Sequence, residues 1–512
     1  MKKLEIILII LLSLLIIGCK SSKQEEIFYL GYLRGNVDVN PMSMDYFLEE
    51  YGAELDNICI YERDQKDSNK INVSAFLCNF SGMCTVTLPN TVKEIKERNF
   101  SNSKGIRKVV IPKSVTSIDE NAFNQCEDLL EIVNYSSIDL KKYVDENVRI
   151  IDDDSKSNIS LADDKFLIYK DSDKTILLDF IYTKKAKEEL TDTLVIPDYI
   201  TEIANIAFSS SEFKEIILPN GLKKIGKQAF LFSSLEKIII PNTVNVIEEG
   251  AFCDCVNLEE LVLSNSLESI EEATFYMCAK LKDVVIPDSV VSIGKNAFAM
   301  CHSLCNLRLG NSIKTIKTYA FSECYNISSV TLPSSLQTLE KNSFQRCLKL
   351  VEVINKSSIE LVKPNSSGII DYAIQIIQDE SDSKISLTND NFVLLDNNSE
   401  IYLVNYLGND KDIKIPPSIS IINKNAFYDN RNITSLVIPR SVTLIDNNSL
   451  YNCYSLEYIY YEGNAEDFKN VEHIHMSNIS NRFRICYYSE KHIFSSGMYY
   501  WHYENDAPTL WK

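Results

Sequence analysis

Histidine and tryptophan are almost missing from this sequence: 512 residues contain five of the first and two of the second. Only His302 falls within the regular part of the chain described below. The one local pair, in Glu472-His-Ile-His475, lacks the HExxH spacing of a zinc helix and at strand spacing would put both imidazoles on one side. Also missing are a G-x-S-x-G nucleophile elbow, a P-loop and a dinucleotide-binding glycine fingerprint. Carboxylates are so numerous that pairs arise by chance and identify no glycosidase. The expectation is a chain with no catalytic set, no cofactor and no metal site. Positive charge is deficient too, with 52 Lys and Arg against 71 Asp and Glu for a net charge of −19. Such a surface repels nucleic acid and anionic lipid, so nucleic acid is not among the expected partners. Long apolar runs are absent beyond the first residues, and nothing downstream approaches the ~20 residues that span a bilayer.

The one apolar run, Leu4 to Ile17, follows Lys2 and Lys3 and has the length of a signal-peptide core. It ends in Leu15-Ile16-Ile17-Gly18-Cys19, which resembles the lipobox of bacterial lipoproteins. That resemblance implies cleavage before Cys19 and diacylglycerol on its thiol, giving a secreted chain anchored by lipid at the cell surface or a periplasm-facing leaflet. An ordinary signal peptide with a chance cysteine is the plainer alternative.

What the chain has in abundance is self-similarity. The pattern aliphatic-x-aliphatic-Pro-x-x-aliphatic-x-x-Ile recurs at Pro89, Pro112, Pro197, Pro219, Pro241, Pro287, Pro333, Pro416 and Pro439, with Ser264 and Gly310 in the same slot. Eleven residues after the slot stands a phenylalanine (Phe208, Phe230, Phe252 and so on), with Leu450 replacing it in the last copy. Alternating aliphatics before proline place two side chains on the inner face of a short strand, and proline ends the strand because it cannot donate to a ladder. The Ala-Phe pair points back from the opposite wall, with alanine small enough to let the rings stack. One such unit cannot bury its own face, so neighbours stack into a continuous core.

Leu281-Lys-Asp-Val-Val-Ile-Pro-Asp-Ser-Val-Val-Ser-Ile-Gly-Lys-Asn-Ala-Phe-Ala-Met-Cys301 resembles the BspA-like, or Treponema-type, 23-residue leucine-rich repeat. The resemblance implies a repeat solenoid: a leucine-rich-repeat arch with a parallel β-sheet on its concave face, interrupted by two small β-rich islands. The expected organisation is a signal peptide (1–18), a lipidated tether (19–26), an N-terminal cap (27–76), repeat block 1 (77–134), island 1 (135–189), block 2 (190–353), island 2 (354–411), block 3 (412–460) and an aromatic C-terminal cap (461–512). The islands are duplicates: Glu131-Ile-Val-Asn-Tyr-Ser-Ser-Ile-Asp-Leu140 matches Glu352-Val-Ile-Asn-Lys-Ser-Ser-Ile-Glu-Leu361. They are expected to carry the solenoid across rather than end it.

Seven cysteines recur three residues after the phenylalanine slot: Cys126, Cys255, Cys278, Cys301, Cys324, Cys347 and Cys453. Stacking would set neighbouring thiols roughly 5 Å apart, a separation compatible with a reduced core ladder, with disulfides or, least readily, with a metal. On the concave side the residue before the last aliphatic reads Val195, Ile217, Ile239, Val262, Val285, Arg308 and Thr331 through block 2. Its apolar stretch, edged by Glu215, Lys237, Glu260 and Asp283, has the anatomy of an interaction surface, although β-branched residues favour strands in any case. The family resemblance implies a cell-surface, adhesin-like binding protein whose ligand is a host matrix or cell-surface protein. Two other readings stand beside it. One is a structural or envelope-assembly lipoprotein. The other is carbohydrate binding through Tyr499, Tyr500, Trp501, Tyr503 and Trp511, whose plainer role is the core of a terminal cap. Oligomeric state is open.

Overall fold

The computed structural model describes residues 106–181, 191–361, 375–446, 448–473, 483–493 and 497–511, together with backbone strands at Phe28–Gly31, Ile58–Arg63 and Ile71–Asn72 and parts of 85–100. Cys19 and the tether lie outside the described residues, as do His475 and most of the expected N-terminal cap. The chain divides into two compact units, Met1–Ser157 and Asn158–Lys512.

Each repeat contributes two strands, where the sequence pattern showed one. The first, such as Asp283–Val285, is the segment before the proline slot. The second is a two-residue strand at the aliphatic-x-x-Ile arm, such as Ser292–Ile293. Both kinds stack in parallel with their counterparts in the next repeat: Asp283 pairs with Asn306, and Ser292 with Thr315. A repeat spans only 22 or 23 residues, so turning twice between strands requires tight corners. Those corners are left-handed residues at two fixed places. Just before the Ala-Phe pair come Ile206, Gln228, Gly250, Ala273, Asn296 and Tyr319, and two residues after phenylalanine come Ser210, Phe232, Asp254, Met277 and Met300, all with φ between 53° and 63°. This conformation costs most L-residues roughly 1–2 kcal/mol; Gly250 avoids that cost, and Asn296 and Asp254 bear less of it.

The third wall is the phenylalanine ladder. In unit 2 the rings of Phe208, Phe230, Phe252, Phe275, Phe298, Phe321 and Phe344 stack face to face at 4.9–5.5 Å, with interplanar angles of 3–13°. In unit 1, Phe100 and Phe123 repeat the arrangement at 4.9 Å. Each phenylalanine N–H donates to the carbonyl of the small residue before the next phenylalanine, as from Phe298 to Ala320 at 2.8 Å. That position must be small, and Ala207, Ala229, Ala251, Thr274, Ala297, Ala320 and Ser343 are all buried.

Below the ladder lie the cysteines, and no disulfide joins any two of the described ones. The thiols of Cys126, Cys255, Cys278, Cys301, Cys324, Cys347 and Cys453 each donate to the carbonyl of the phenylalanine one repeat earlier, at 2.8–3.4 Å. This row is a ladder of thiols hydrogen-bonded to backbone carbonyls. Burial pushes the thiols of Cys255 and Cys301 up to about 12, which keeps them protonated and unreactive.

Each island has two parts. Its first strand extends the sheet of the block before it: Arg149–Ile151 pairs with Glu131–Asn134, and Gln375–Ile377 with Glu352–Asn355. Its second part is an antiparallel hairpin joined to the short-strand sheet of the block after it. Phe166–Lys170 and Thr175–Phe180 lead into Glu202, and Phe392–Asp396 and Ile401–Tyr406 lead into Ile421. Phe166, Ile168, Leu177 and Phe180 thereby join the core of block 2, and Phe392, Leu394, Leu403 and Tyr406 that of block 3. The opposite face of the second hairpin, Val393, Leu395 and Val404, packs on Val351 at the end of block 2.

Candidate functional site

The first-strand sheet has an inner face in the core and an open face, expected to be the concave one. The strands Thr193–Val195, Glu215–Ile217, Lys237–Ile239 and Glu260–Val262 lie side by side, followed by Asp283–Val285 and Asn306–Arg308. Alternation turns the middle residue of each inward and leaves the third on the open face. Val195, Ile217, Ile239, Val262 and Val285 are 47–60% exposed, large values for aliphatic side chains in a regular sheet. Arg308 continues the row, exposed and making no ion pair among the described residues. Thr331 is half-buried, its hydroxyl 3.3 Å from Glu380 Oε1.

Beside the stripe runs a charged edge whose members pair with one another: Lys237 Nζ lies 3.2 Å from Glu260 and 4.0 Å from Glu215. Such exposed pairs add little stability. They do keep the flank polar while the stripe stays apolar. The edge does not hold its outward character in the other blocks, because Lys108 and Ser435 are buried. Lys108 reaches Asp154 and Ser157 of a 3-10 turn, and Ser435 donates to Asp412.

Elsewhere the chain covers the same face with its own residues. In unit 1, Val133 is fully buried. At the end of block 2, Ile354, the register partner of Thr331, is buried. Nearby, the 3-10 turn Glu380–Asp382 ties Glu380 to both Thr331 and Lys356. In block 3, Val437, Tyr460 and Cys486 form one row and are all buried. The sheet continues into the terminal hairpin Tyr499–Glu504/Ala507–Leu510, whose first strand pairs in parallel with Arg484–Tyr488, and the side chains of that hairpin fold back over the row. Trp501 packs on Tyr460 and Tyr488 and donates its indole N–H to the Tyr461 carbonyl at 3.0 Å. Tyr503 reaches back to Lys414, whose ammonium sits 4.6 Å from the ring centre, and its hydroxyl donates to Glu462 at 2.5 Å. Trp501 is therefore core and unavailable as a sugar platform; Tyr499 is exposed, and Trp511 is stacked on His502 at 3.8 Å.

A polar group hidden from the sequence pattern sits where block 2 meets the second hairpin. Lys349 is buried, and its ammonium is held by Asn326 Oδ1 at 2.8 Å and Asn405 Oδ1 at 2.7 Å, with no carboxylate in ion-pair range among the described residues. Burial lowers its pKa to about 7. Lys280 fills the same repeat slot, yet it is exposed and paired with Glu259, so the slot alone gives no sign of the difference. Among the described residues no group of three or more His, Cys, Asp or Glu side chains is placed to hold a metal ion, and no helix is long and apolar enough to cross a membrane.

A two-sheet parallel solenoid with a stacked phenylalanine wall is a leucine-rich-repeat scaffold. The family model of the BspA type leucine rich repeat region matches residues 54–161, 185–304, 268–367 and 370–494, in six copies. The chain belongs to that family. Among solved structures it is similar to a leucine rich cell surface protein from Faecalibacterium prausnitzii A2-165, at 17% identity and a TM-score of 0.34 over 62% of this chain and 98% of that one. A leucine-rich repeat protein from Eubacterium ventriosum ATCC 27560 is similar at 21% identity and a TM-score of 0.36, over 61% and 80% of the two chains. The leucine rich repeat protein of T. pallidum is similar at 25% identity and a TM-score of 0.28, over 38% and 81%. No curated protein matches the chain.

Proposed function

We propose that this protein is a lipid-anchored surface receptor that captures a protein ligand on the bare open face of block 2. The observation that carries the reading is the contrast along one structural row. Where the chain buries this face with its own turns or its terminal hairpin, the row is closed; from Val195 to Val285 five aliphatic side chains stay in solvent. Contiguous apolar patches on soluble proteins rarely exceed roughly 300–600 Å², and those that approach this size mark binding surfaces. Folding alone supplies no reason to keep Val262 and Val285 apolar, since polar β-formers such as threonine fit the same exposed strand positions.

The ligand class is a host matrix or cell-surface protein, and the anchor is lipid on Cys19. The test is capture of matrix proteins by the full chain and by a Val262→Glu, Val285→Glu variant. The expected result is a variant of unchanged melting temperature that has lost capture; a folded variant that captures as well as the parent removes the stripe from the reading. Protease treatment of intact cells tests the location: an outward-facing receptor is cleaved, whereas an envelope-assembly protein facing the periplasm is protected.

A further inference from the structure

The core of unit 2 is not continuous. The ring wall that begins at Phe208 stops at Phe344 and starts again at Phe392, and the aliphatic cores of block 2 and block 3 are separate. Among the described residues no strand of block 2 pairs with a strand of the second hairpin or of block 3. Side chains bridge the gap. Val351 packs on Val393, Leu395 and Val404, Asn425 donates to the Leu348 carbonyl at 3.1 Å, and Tyr325 meets Tyr428 edge-on at 5.7 Å. At the centre lies Lys349, between Asn326 of block 2 and Asn405 of the hairpin, two amides that accept its protons without balancing its charge. Asn405 is itself fully buried and donates to Asn326 Oδ1 at 3.3 Å. On the same side of the joint His302 stacks on Tyr325 at 4.7 Å, and its Nε2 is buried with no hydrogen-bond partner among the described residues. The other ionisable groups that act on Lys349 and His302 are Cys305, Glu323 and Arg346 from block 2, and Asp429 and Cys453 from block 3. Glu323 is engaged by Arg346 at 2.9 Å and Asp429 by Arg431 at 3.1 Å, so neither carboxylate is left over to neutralise a proton taken up at the joint.

We propose that this joint is a proton-sensitive hinge, at which protonation of Lys349 or His302 drives the second hairpin and block 3 away from the end of block 2. A charge at either residue is desolvated and unpaired while the joint is closed and hydrated once it opens, so the open form binds protons more tightly. For Lys349, burial lowers the closed-state pKa to about 7, against about 10.4 in water. The closed joint therefore loses stability as pH falls from 10 towards 7, and this residue adds no further loss below that. Burial also holds His302 below its ordinary value of 6.5. Its contribution is fully present above 6.5 and is lost as pH falls below it. The two groups act in the same direction and in successive pH ranges. The hinge is independent of what block 2 captures.

The test is amide hydrogen exchange of the full-length chain, read by mass spectrometry from pH 9 to pH 5 and corrected for the pH dependence of intrinsic exchange. Peptides from 348–353 and 393–406 report on the joint, and peptides from 284–298 report on the interior of block 2. Opening of the joint is expected to rise roughly tenfold or more between pH 9 and pH 7 and to rise again below 6.5, while the block 2 peptides stay unchanged. Lys349→Met is expected to abolish the first rise. His302→Phe, which keeps a ring against Tyr325, is expected to abolish the second. Exchange at the joint that ignores pH overturns the inference, and the unsubstituted chain alone decides that point. A rise shared equally by the 284–298 peptides overturns it too, since the whole solenoid would then be loosening. So does persistence of both rises in a folded Lys349→Met, His302→Phe variant.

Discussion

Two residues hold environments that their neighbours in the repeat do not share. Lys349 is a buried ammonium satisfied by two amide oxygens; burial depresses its pKa, opposed in part by Cys453, Asp429 and Cys305. Its folded pKa, about 7, lies below the ordinary lysine value near 10.4, so between those limits the unfolded chain binds the extra proton. Stability contributed by this site therefore rises as pH increases from 7 towards 10, and below 7 the full cost of burying the charge is present. Lys349→Met is expected to raise the melting temperature at pH 7 and to flatten the rise between pH 7 and 10. An unchanged slope in calorimetric scans across that range would mean that Lys349 does not titrate there. Ile206 is the second case, a β-branched residue at φ 54° where later repeats place Gly250, Asn296 and Asn342. Ile206→Asn is expected to stabilise the fold by about 0.5–1 kcal/mol in denaturant melts, since asparagine tolerates the left-handed region.

At the level of the element, the phenylalanine wall and the thiol row differ in how strictly they demand their residues. Phe298 stacks between Phe275 and Phe321 and is fully buried, so Phe298→Ala opens a cavity and is expected to cost about 3–5 kcal/mol. Cys301 offers only a small side chain and one weak hydrogen bond. Ser233 already occupies the same slot, 3.2 Å from Cys255 Sγ, so Cys301→Ser is expected to cost under about 1 kcal/mol in the same melts. A thiol reagent at neutral pH is expected to leave the ladder cysteines unmodified until the chain unfolds. The wall was legible in the sequence as spacing alone, because a ring every 22 or 23 residues has no other regular use. The short second strands were not legible, for two residues are too few to show alternation.

For the whole molecule the open question of the sequence was which exposed strand positions carry a purpose. Eleven copies of one pattern all place a residue on the open face, and nothing local separates Val262 from Val437. In the structure Val437 is buried beneath Tyr460 and Trp501 while Val262 is about half exposed. The difference comes from the terminal hairpin, which belongs to a different stretch of chain. Substitution at Val437 by glutamate is accordingly expected to destabilise block 3 by about 2 kcal/mol or more, since it buries an unpaired charge, whereas Val262→Glu is expected to leave the melting temperature within one or two degrees. Equal losses at both sites would remove the contrast on which the receptor reading rests.

The sequence alone determined the repeat, its register, the inward aliphatics and the aromatic wall, because each is a local periodicity that stacking must satisfy. It also located the islands by their duplication. Only the tertiary structure decided that each island pairs its first strand with the block before it and its hairpin with the block after. The same is true of the burial of Lys349 and of the closure of the open face in block 3 but not in block 2. Those are outcomes of segments far apart in the chain meeting across a surface, and burial by a distant segment leaves no trace in the pattern of the residue that becomes buried.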